Sequence, residues 1–399
     1  MVCISVEVAL NPDVKNSRWI SVRLHSILIT LALLGVIGMT NQANAAPSES
    51  TTTMVNVAVP LPKLQKTIDF DGFISVSVLK KIAFSPDGRY LAIVYNPALS
   101  QTDIVVWDVQ LDRKQSHIHC PSDYGDLSYL DLLWSRDSKV ISFGAKRQWD
   151  PMTGDSLPDN PAIGRASRLN KDGSKMLSIV GAIGEPSYIY IYDTKDWTLQ
   201  KLYVDGLAVQ RAAWTAEDKI MVGVNGTKQT VNKTMDGRLL APFDVGLRLL
   251  DPSGKSPTKS IWFPAVPDDR PRYYPWKQAI DVDLSVSNFA ANQIALGIGR
   301  IINGKTMDIL TYYSIDDIVS DKVSPGVGGM VFSPDGQYLF IKAGAWFDGR
   351  EPVVNSVIDT HSGKQVAQFG GGDRGIAINP NGKQLAIGNV HSVQIFGLQ

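Results

Sequence analysis

Two histidines one residue apart, His117 and His119, flank Ile118. Along a strand, residues two apart point the same way, so both imidazoles can address one divalent metal ion. Cys120 then turns to the opposite face. A mononuclear site needs at least three protein ligands, and the neighbouring sequence offers no third. The pair therefore reads as two edge-strand histidines, with no metal and no cofactor expected. Asp281-Val282-Asp283 likewise sets two carboxylates on one face of a strand, an arrangement suited to acid–base work or a hard cation. His361 and His391 are isolated, one in a turn and one near the last strand, and neither shows the sequence pattern of a catalytic nucleophile pair. No Gly-x-Ser-x-Gly elbow occurs. The run Gly370-Gly371-Gly372-Asp373-Arg374-Gly375 lacks the lysine and following helix that a phosphate cradle requires, which excludes a nucleotide loop there.

The segment from Trp262 to Trp276 is the most individual part of the chain. It holds Trp262, Phe263, Asp268, Asp269, Arg270, Arg272, Tyr273, Tyr274 and Trp276, interrupted by Pro264, Pro267, Pro271 and Pro275. That proline density rules out a regular helix or a central strand and limits the segment's conformations. Tryptophan, tyrosine and arginine are the side chains that anchor binding hot spots. Trp262, Asp268, Asp269, Arg270, Arg272, Tyr273, Tyr274 and Trp276 are therefore the candidate residues for holding a protein or peptide.

What must position these residues is a repeated turn. Phe-Ser-Pro-Asp-Gly occurs at Phe84–Gly88 and again at Phe332–Gly336. Proline presets the first turn dihedral, aspartate bonds the local backbone, and glycine supplies the positive φ that returns the chain. Apolar runs on both sides make each copy a hairpin. Weaker copies begin at Trp134, Leu169, Trp214, Leu284 and Ile378, giving seven anchors spaced 50, 35, 45, 70, 48 and 46 residues apart. A four-stranded propeller blade takes about 40–50 residues. The long interval predicts an insertion near residues 225–276, and the short one predicts a squeezed third blade.

A second element recurs after each anchor. Third strands end on Trp107-Asp108, Trp149-Asp150, Tyr192-Asp193, Leu250-Asp251 and Ile358-Asp359, several with a glycine soon after. These residues resemble the WD-repeat pattern and the related exported propellers of the Tol-system and lactonase-like kinds, over about residues 64–399. The Gly-His pair that opens strict WD repeats is missing. The resemblance implies an all-β fold, a seven-bladed β-propeller of four-stranded antiparallel blades. The chain ends on the third strand of the last blade, and Leu64–Phe70 lies where an outer strand is needed. An N-terminal strand is thus expected to close the ring and remove the open edge.

The N-terminus reads as an address. Residues 27–39 are apolar apart from Thr30, shorter than the roughly 20 residues that span a bilayer. Arg18 and Arg23 precede them and Ala43-Asn44-Ala45 follows as a small-x-small cleavage site. The expected plan is a signal peptide over 1–45, a flexible lead over 46–62 and a propeller over 63–399, periplasmic or secreted. The whole chain balances 39 Lys+Arg against 39 Asp+Glu, and a near-neutral mature chain carries no footprint for nucleic acid. Of the two cysteines only Cys120 lies beyond residue 45, so no internal disulfide is expected. No transmembrane segment is expected after cleavage. These features favour a non-catalytic module that binds a protein or peptide. The rival is an enzyme of the lactonase-like or cofactor-dependent kind, with Arg270, Asp281 and Asp283 at the mouth of the central channel.

Overall fold

The structure, a computed structural model, describes residues 62–69, 78–98, 101–120, 131–144, 146–164, 167–181, 186–204, 207–225, 245–254, 259–263, 287–288, 292–296, 299–313, 327–343, 354–372, 375–389 and 391–398. β1 (Pro62–Asp69) comes first. Blade 1 follows as β2 (Val78–Phe84), β3 (Tyr90–Ala98), β4 (Gln101–Asp108) and β5 (Arg113–Cys120). Blade 2 is β6 (Leu132–Trp134), β7 (Ile141–Phe143), β8 (Arg147–Trp149) and β9 (Ser156–Leu157). Blade 3 is β10 (Ser167–Leu169), β11 (Lys175–Val180), β12 (Tyr188–Asp193) and β13 (Leu199–Tyr203). Blade 4 is β14 (Ala208–Trp214), β15 (Ile220–Asn225), β16 (Val245–Leu250) and β17 (Lys259–Phe263). Blade 5 is β18 (Ser287–Asn288), β19 (Gln293–Leu296), β20 (Arg300–Asn303) and β21 (Ile309–Tyr312). Blade 6 is β22 (Val327–Phe332), β23 (Tyr338–Ala343), β24 (Val354–Asp359) and β25 (Gln365–Gly370). Blade 7 takes β26 (Ile376–Ile378), β27 (Gln384–Gly388) and β28 (Ser392–Leu398), completed by β1. The chain is a seven-bladed, all-β propeller, and β1 pairs antiparallel with β28 from Pro62↔Leu398 to Asp69↔Ser392.

The repeated turn works through one serine. In blade 1 the Ser85 hydroxyl donates to Asp87 at 2.5 Å and accepts from the Tyr90 amide at 2.9 Å, while Asp87 takes the Arg89 amide. Ser333 and Asp335 repeat this in blade 6 with the same distances at the serine. Ser135 does so in blade 2, and Asn170 and Asn379 act through their amide oxygens in blades 3 and 7. The last turn residue has positive φ: Gly88, Gly173, Gly336 and Gly382 where the motif is clear, but Ser138, Asp218 and Asn292 in blades 2, 4 and 5. The geometry thus outlasts the glycine that first makes it easy.

Asn292 also corrects the reading of blade 5. The turn there ends eight residues after Leu284 rather than four, and Ser287–Asn288 is strand. The squeezed interval shortens blade 2 rather than blade 3. β6, β7 and β8 have three residues each and β9 two, whereas blade 3 is a full four-stranded sheet. The long interval divides between two connections, residues 226–244 inside blade 4 and 264–286 between blades 4 and 5.

Each blade is buried on both faces by its neighbours. Ala92, Val94, Ile104, Val106 and Ile118 of blade 1 pack on Leu132, Trp134, Ile141 and Phe143 of blade 2. Leu91 and Ile93, on the opposite side of the same sheet, pack on Ile68, Ala386, Val393 and Ile395 of blade 7. Ile68, 2% exposed, is the residue of β1 that enters this seam, while Leu64 of the same strand is 49% exposed. Truncating Ile68 to Ala should cost about 2–4 kcal/mol by the cavity it leaves between blades 7 and 1. Leu64→Ala should stay within about 0.5 kcal/mol. Urea midpoints check this; equal midpoints for the two variants would mean that β1 is not part of the ring's core.

Candidate functional site

In a four-stranded meander, the connections between first and second strands and between third and fourth strands lie at one face of the ring. Those between second and third strands, and from one blade to the next, lie at the other. The first face is uniform: none of its connections is longer than residues 251–258. Its turns also bond to one another. Around the inner circle, Asn379 Nδ2 donates to the Gly88 carbonyl at 2.8 Å, joining the last blade to the first. The Asp87 amide meets Ser138, Arg136 meets the Asp172 carbonyl, Asn170 meets Asp218, and Asn292 meets Glu217. Around the outer circle, the fourth strand of one blade bonds the third-to-fourth turn of the next. Ser116 donates to the Pro151 carbonyl at 2.6 Å, Thr311 to the His361 carbonyl at 3.1 Å, and Gln200 to the Pro252 carbonyl. Lys259 reaches Asp308, and Lys66 pairs with Asp112 while lying 5.1 Å over the Trp107 ring.

The aspartates that end third strands make these outer turns. Asp108, Asp150, Asp193, Asp251 and Asp359 each accept a backbone N–H two or three residues on, as Asn303 does in blade 5. Asp108 is fully buried and also takes both Nε and Nη2 of Arg89. Burial works against its ionised form, but the Leu111 amide and Arg89 outweigh that and lower its pKa. The WD-like aspartates are therefore turn-formers.

Every longer connection leaves from the other face: residues 121–131, 158–166, 226–244, 264–286, 313–326 and 344–353. Of the candidate binding residues, Trp262 lies in β17, opposite Gly246 of β16. Asp268, Asp269, Arg270, Arg272, Tyr273, Tyr274 and Trp276 lie outside the described residues, as do Asp281 and Asp283.

Two polar clusters stand out among the described residues. The first joins three consecutive blades. Asp131, just before β6, is bonded by Lys81 Nζ of blade 1 at 2.8 Å and Arg168 Nη1 of blade 3 at 2.7 Å. Burial pushes the Asp131 carboxyl up, but the two cations more than offset this and hold it well below the carboxylate range. Its place on the first strands makes it a clamp for three blades.

The second cluster contains the paired histidines. His117 and His119 lie on β5 as expected, ring centroids 4.4 Å apart. Asp103 of β4, buried, stands directly across from His119 in the strand pairing. Its Oδ2 lies 2.9 Å from His117 Nε2 and 3.1 Å from His119 Nδ1. Gln101 donates to Oδ1 at 3.1 Å. The Tyr95 hydroxyl, one strand further in, is 2.9 Å from His117 Nε2 and 3.3 Å from Asp103 Oδ2. Burial first, then the Asp103 charge, raise the Tyr95 pKa, so this phenol keeps its proton. Cys120 does turn away, into the core shared with blade 2, and burial pushes its thiol up to about 12. Asp103 is the residue that sequence reasoning missed.

The chain matches no protein-family model and no curated protein. Its fold matches many solved propellers. A chain of the mitotic checkpoint complex is 14% identical with TM-score 0.52, covering 91% of this chain and 98% of that one. The C-terminal WD40 domain of Sif2 is 12% identical with TM-score 0.51, covering 86% and 99%. A chain of Kuenenia stuttgartiensis hydrazine synthase is 12% identical with TM-score 0.54, covering 87% and 98%. At these identities the likeness establishes a WD40-like propeller fold and nothing about activity.

The Asp131 clamp gives a pH signature. A carboxyl with a depressed folded pKa contributes stability above its unfolded pKa and loses it as pH falls through the folded value. Asp131→Asn should therefore cost up to about 3 kcal/mol at pH 7, the low end for a buried pair because Lys81 and Arg168 remain partly solvated. The gap from the unmodified chain should narrow below about pH 4. Denaturation across pH 7 to 3 checks it, and a constant gap would exclude Asp131 as the titrating clamp.

Proposed function

We propose that this chain is an exported binding module, periplasmic or secreted, that holds a protein or peptide on one face of its ring. The observation that carries the reading is the asymmetry of the two faces. One is closed by short turns bonded to each other. The other receives every long connection, including the segment with Asp268, Asp269, Arg270, Arg272, Tyr273, Tyr274 and Trp276. Loops raised on a rigid scaffold are where recognition residues concentrate. The composition of this segment is that of a hot-spot cluster with a charged rim. A near-neutral chain fits a partner recognised by aromatic and hydrogen-bonding contact rather than by long-range charge. The WD40-like fold agrees with such a role, as a scaffold commonly used for holding proteins.

Trp262 belongs to β17, so the variant that tests the loop begins after Phe263. Replacing residues 264–276 by a short Gly-Ser linker should abolish co-purification of the partner, read by native mass spectrometry of the mature chain from its own compartment. The thermal midpoint should stay within a few degrees. Undiminished capture by the folded variant would place recognition elsewhere. The export half of the proposal has a separate check. N-terminal sequencing of the chain from its native source should begin near Ala46, whereas a start upstream of the 27–39 apolar run in a soluble fraction would contradict it.

A further inference from the structure

Asp103, Asp108 and Asp131 are all buried, but different groups balance them. Asp108 has Arg89, and Asp131 has Lys81 and Arg168. Asp103, its side chain 3% exposed, has no Lys or Arg within ion-pair distance among the described residues; its partners are His117 and His119. Buried charges are ordinarily paired with a counter-charge or coordinate a metal, and imidazole is the commonest metal ligand among side chains. The hydrogen bonds alone are also crowded. Nε2 of His117 and Nδ1 of His119 both aim at one oxygen, and Nε2 meets the Tyr95 hydroxyl as well. A single imidazole nitrogen cannot donate to the carboxylate and accept from the phenol at once.

We infer that His117, His119 and Asp103 form a binding site for one divalent transition-metal ion of the zinc class, held by Nε2, Nδ1 and Oδ2. One ligand atom from each of the three residues lies within 4.8 Å of the other two. Bonds of about 2.0–2.2 Å set tetrahedral ligands about 3.3 Å apart. The Oδ2 contacts at 2.9 and 3.1 Å need open by only a few tenths of an ångström. Two imidazoles and a carboxylate favour zinc, copper or nickel over magnesium or calcium, which prefer oxygen throughout. Gln101, bonded to Oδ1, turns Oδ2 toward the histidines, and the Tyr95 hydroxyl donates to Oδ2 at 3.3 Å; hydrogen bonds to ligating carboxylates are the outer contacts such sites use. With the metal bound, His117 no longer holds both partners and Tyr95 is left to donate to Oδ2. The side chain of His119 is 67% exposed, so an ion reaches the site from solvent and keeps coordination positions open to water. The ligands sit on the two outermost strands of blade 1 and do not involve residues 264–286.

The test is isothermal titration of zinc(II) into the untagged mature chain, stripped with chelator. The expected result is one equivalent bound, with affinity at least tenfold weaker in His117→Ala, His119→Ala and Asp103→Asn, and unchanged in Cys120→Ala. Cobalt(II) as a second probe should give a visible spectrum that each ligand variant loses. His119 is exposed, so its variant carries the test if Asp103→Asn lowers stability. Absence of saturable one-equivalent binding in the unmodified chain, or equal affinity in His119→Ala, overturns the proposal.

Discussion

Every blade of this ring depends on having a neighbour on each side. A four-stranded sheet such as blade 1 presents two apolar surfaces, Ala92 and Val94 on one and Leu91 and Ile93 on the other. Neither surface finds cover within its own blade. Packing around a closed circle covers both, provided the last blade meets the first. Here that junction is non-local in sequence: β1 pairs with β28, Ile68 fills the seam, Asn379 bonds the Gly88 carbonyl and Lys66 reaches Asp112. An unpaired β28 would also leave an open strand edge, which soluble proteins avoid.

The same closure divides the molecule's surface into two kinds of face. Turns that bond neighbouring turns are held from both sides, and changes in their length would break contacts within two blades. Gly88 illustrates the constraint. Its φ is +73°, and a Cβ there would stand 2.3 Å from the Asn379 amide oxygen. The added length of blade 4 and of its junction to blade 5 enters through connections on the opposite face. The cluster around Asp103 lies at the outer part of blade 1, near the β3–β4 hairpin, where solvent reaches one side of a pairing that is buried on the other.

Local chemistry and the closing of the ring by β1 were legible in the sequence, but strand register was not. Ser85, Pro86, Asp87 and Gly88 write their turn within five residues, so the blades and their order could be read directly. The turn ending at Asn292 could not, because its strand is two residues long and no proline or glycine marks it. Likewise the 35-residue spacing was visible, but not that blade 2 absorbs it through the short β7, β8 and β9. Asp103 shows the limit most clearly. Counting back from Asp108↔Arg113 without interruption sets Asp103 across from Ile118. A bulge between Val106 and Trp107 shifts the register by one and brings it to His119. A one-residue slip decides which face a side chain joins, and nothing in the composition of β5 announces it.

Hydrogen exchange of the mature chain, read by mass spectrometry peptide by peptide, tests ring closure most directly. If β1 completes blade 7, the amides of Lys66–Asp69 and of Val393–Phe396 will exchange together with the core strands, in one cooperative opening. Early exchange of β1, with β3 and β27 still protected, would show that the ring is held without it and would contradict the account.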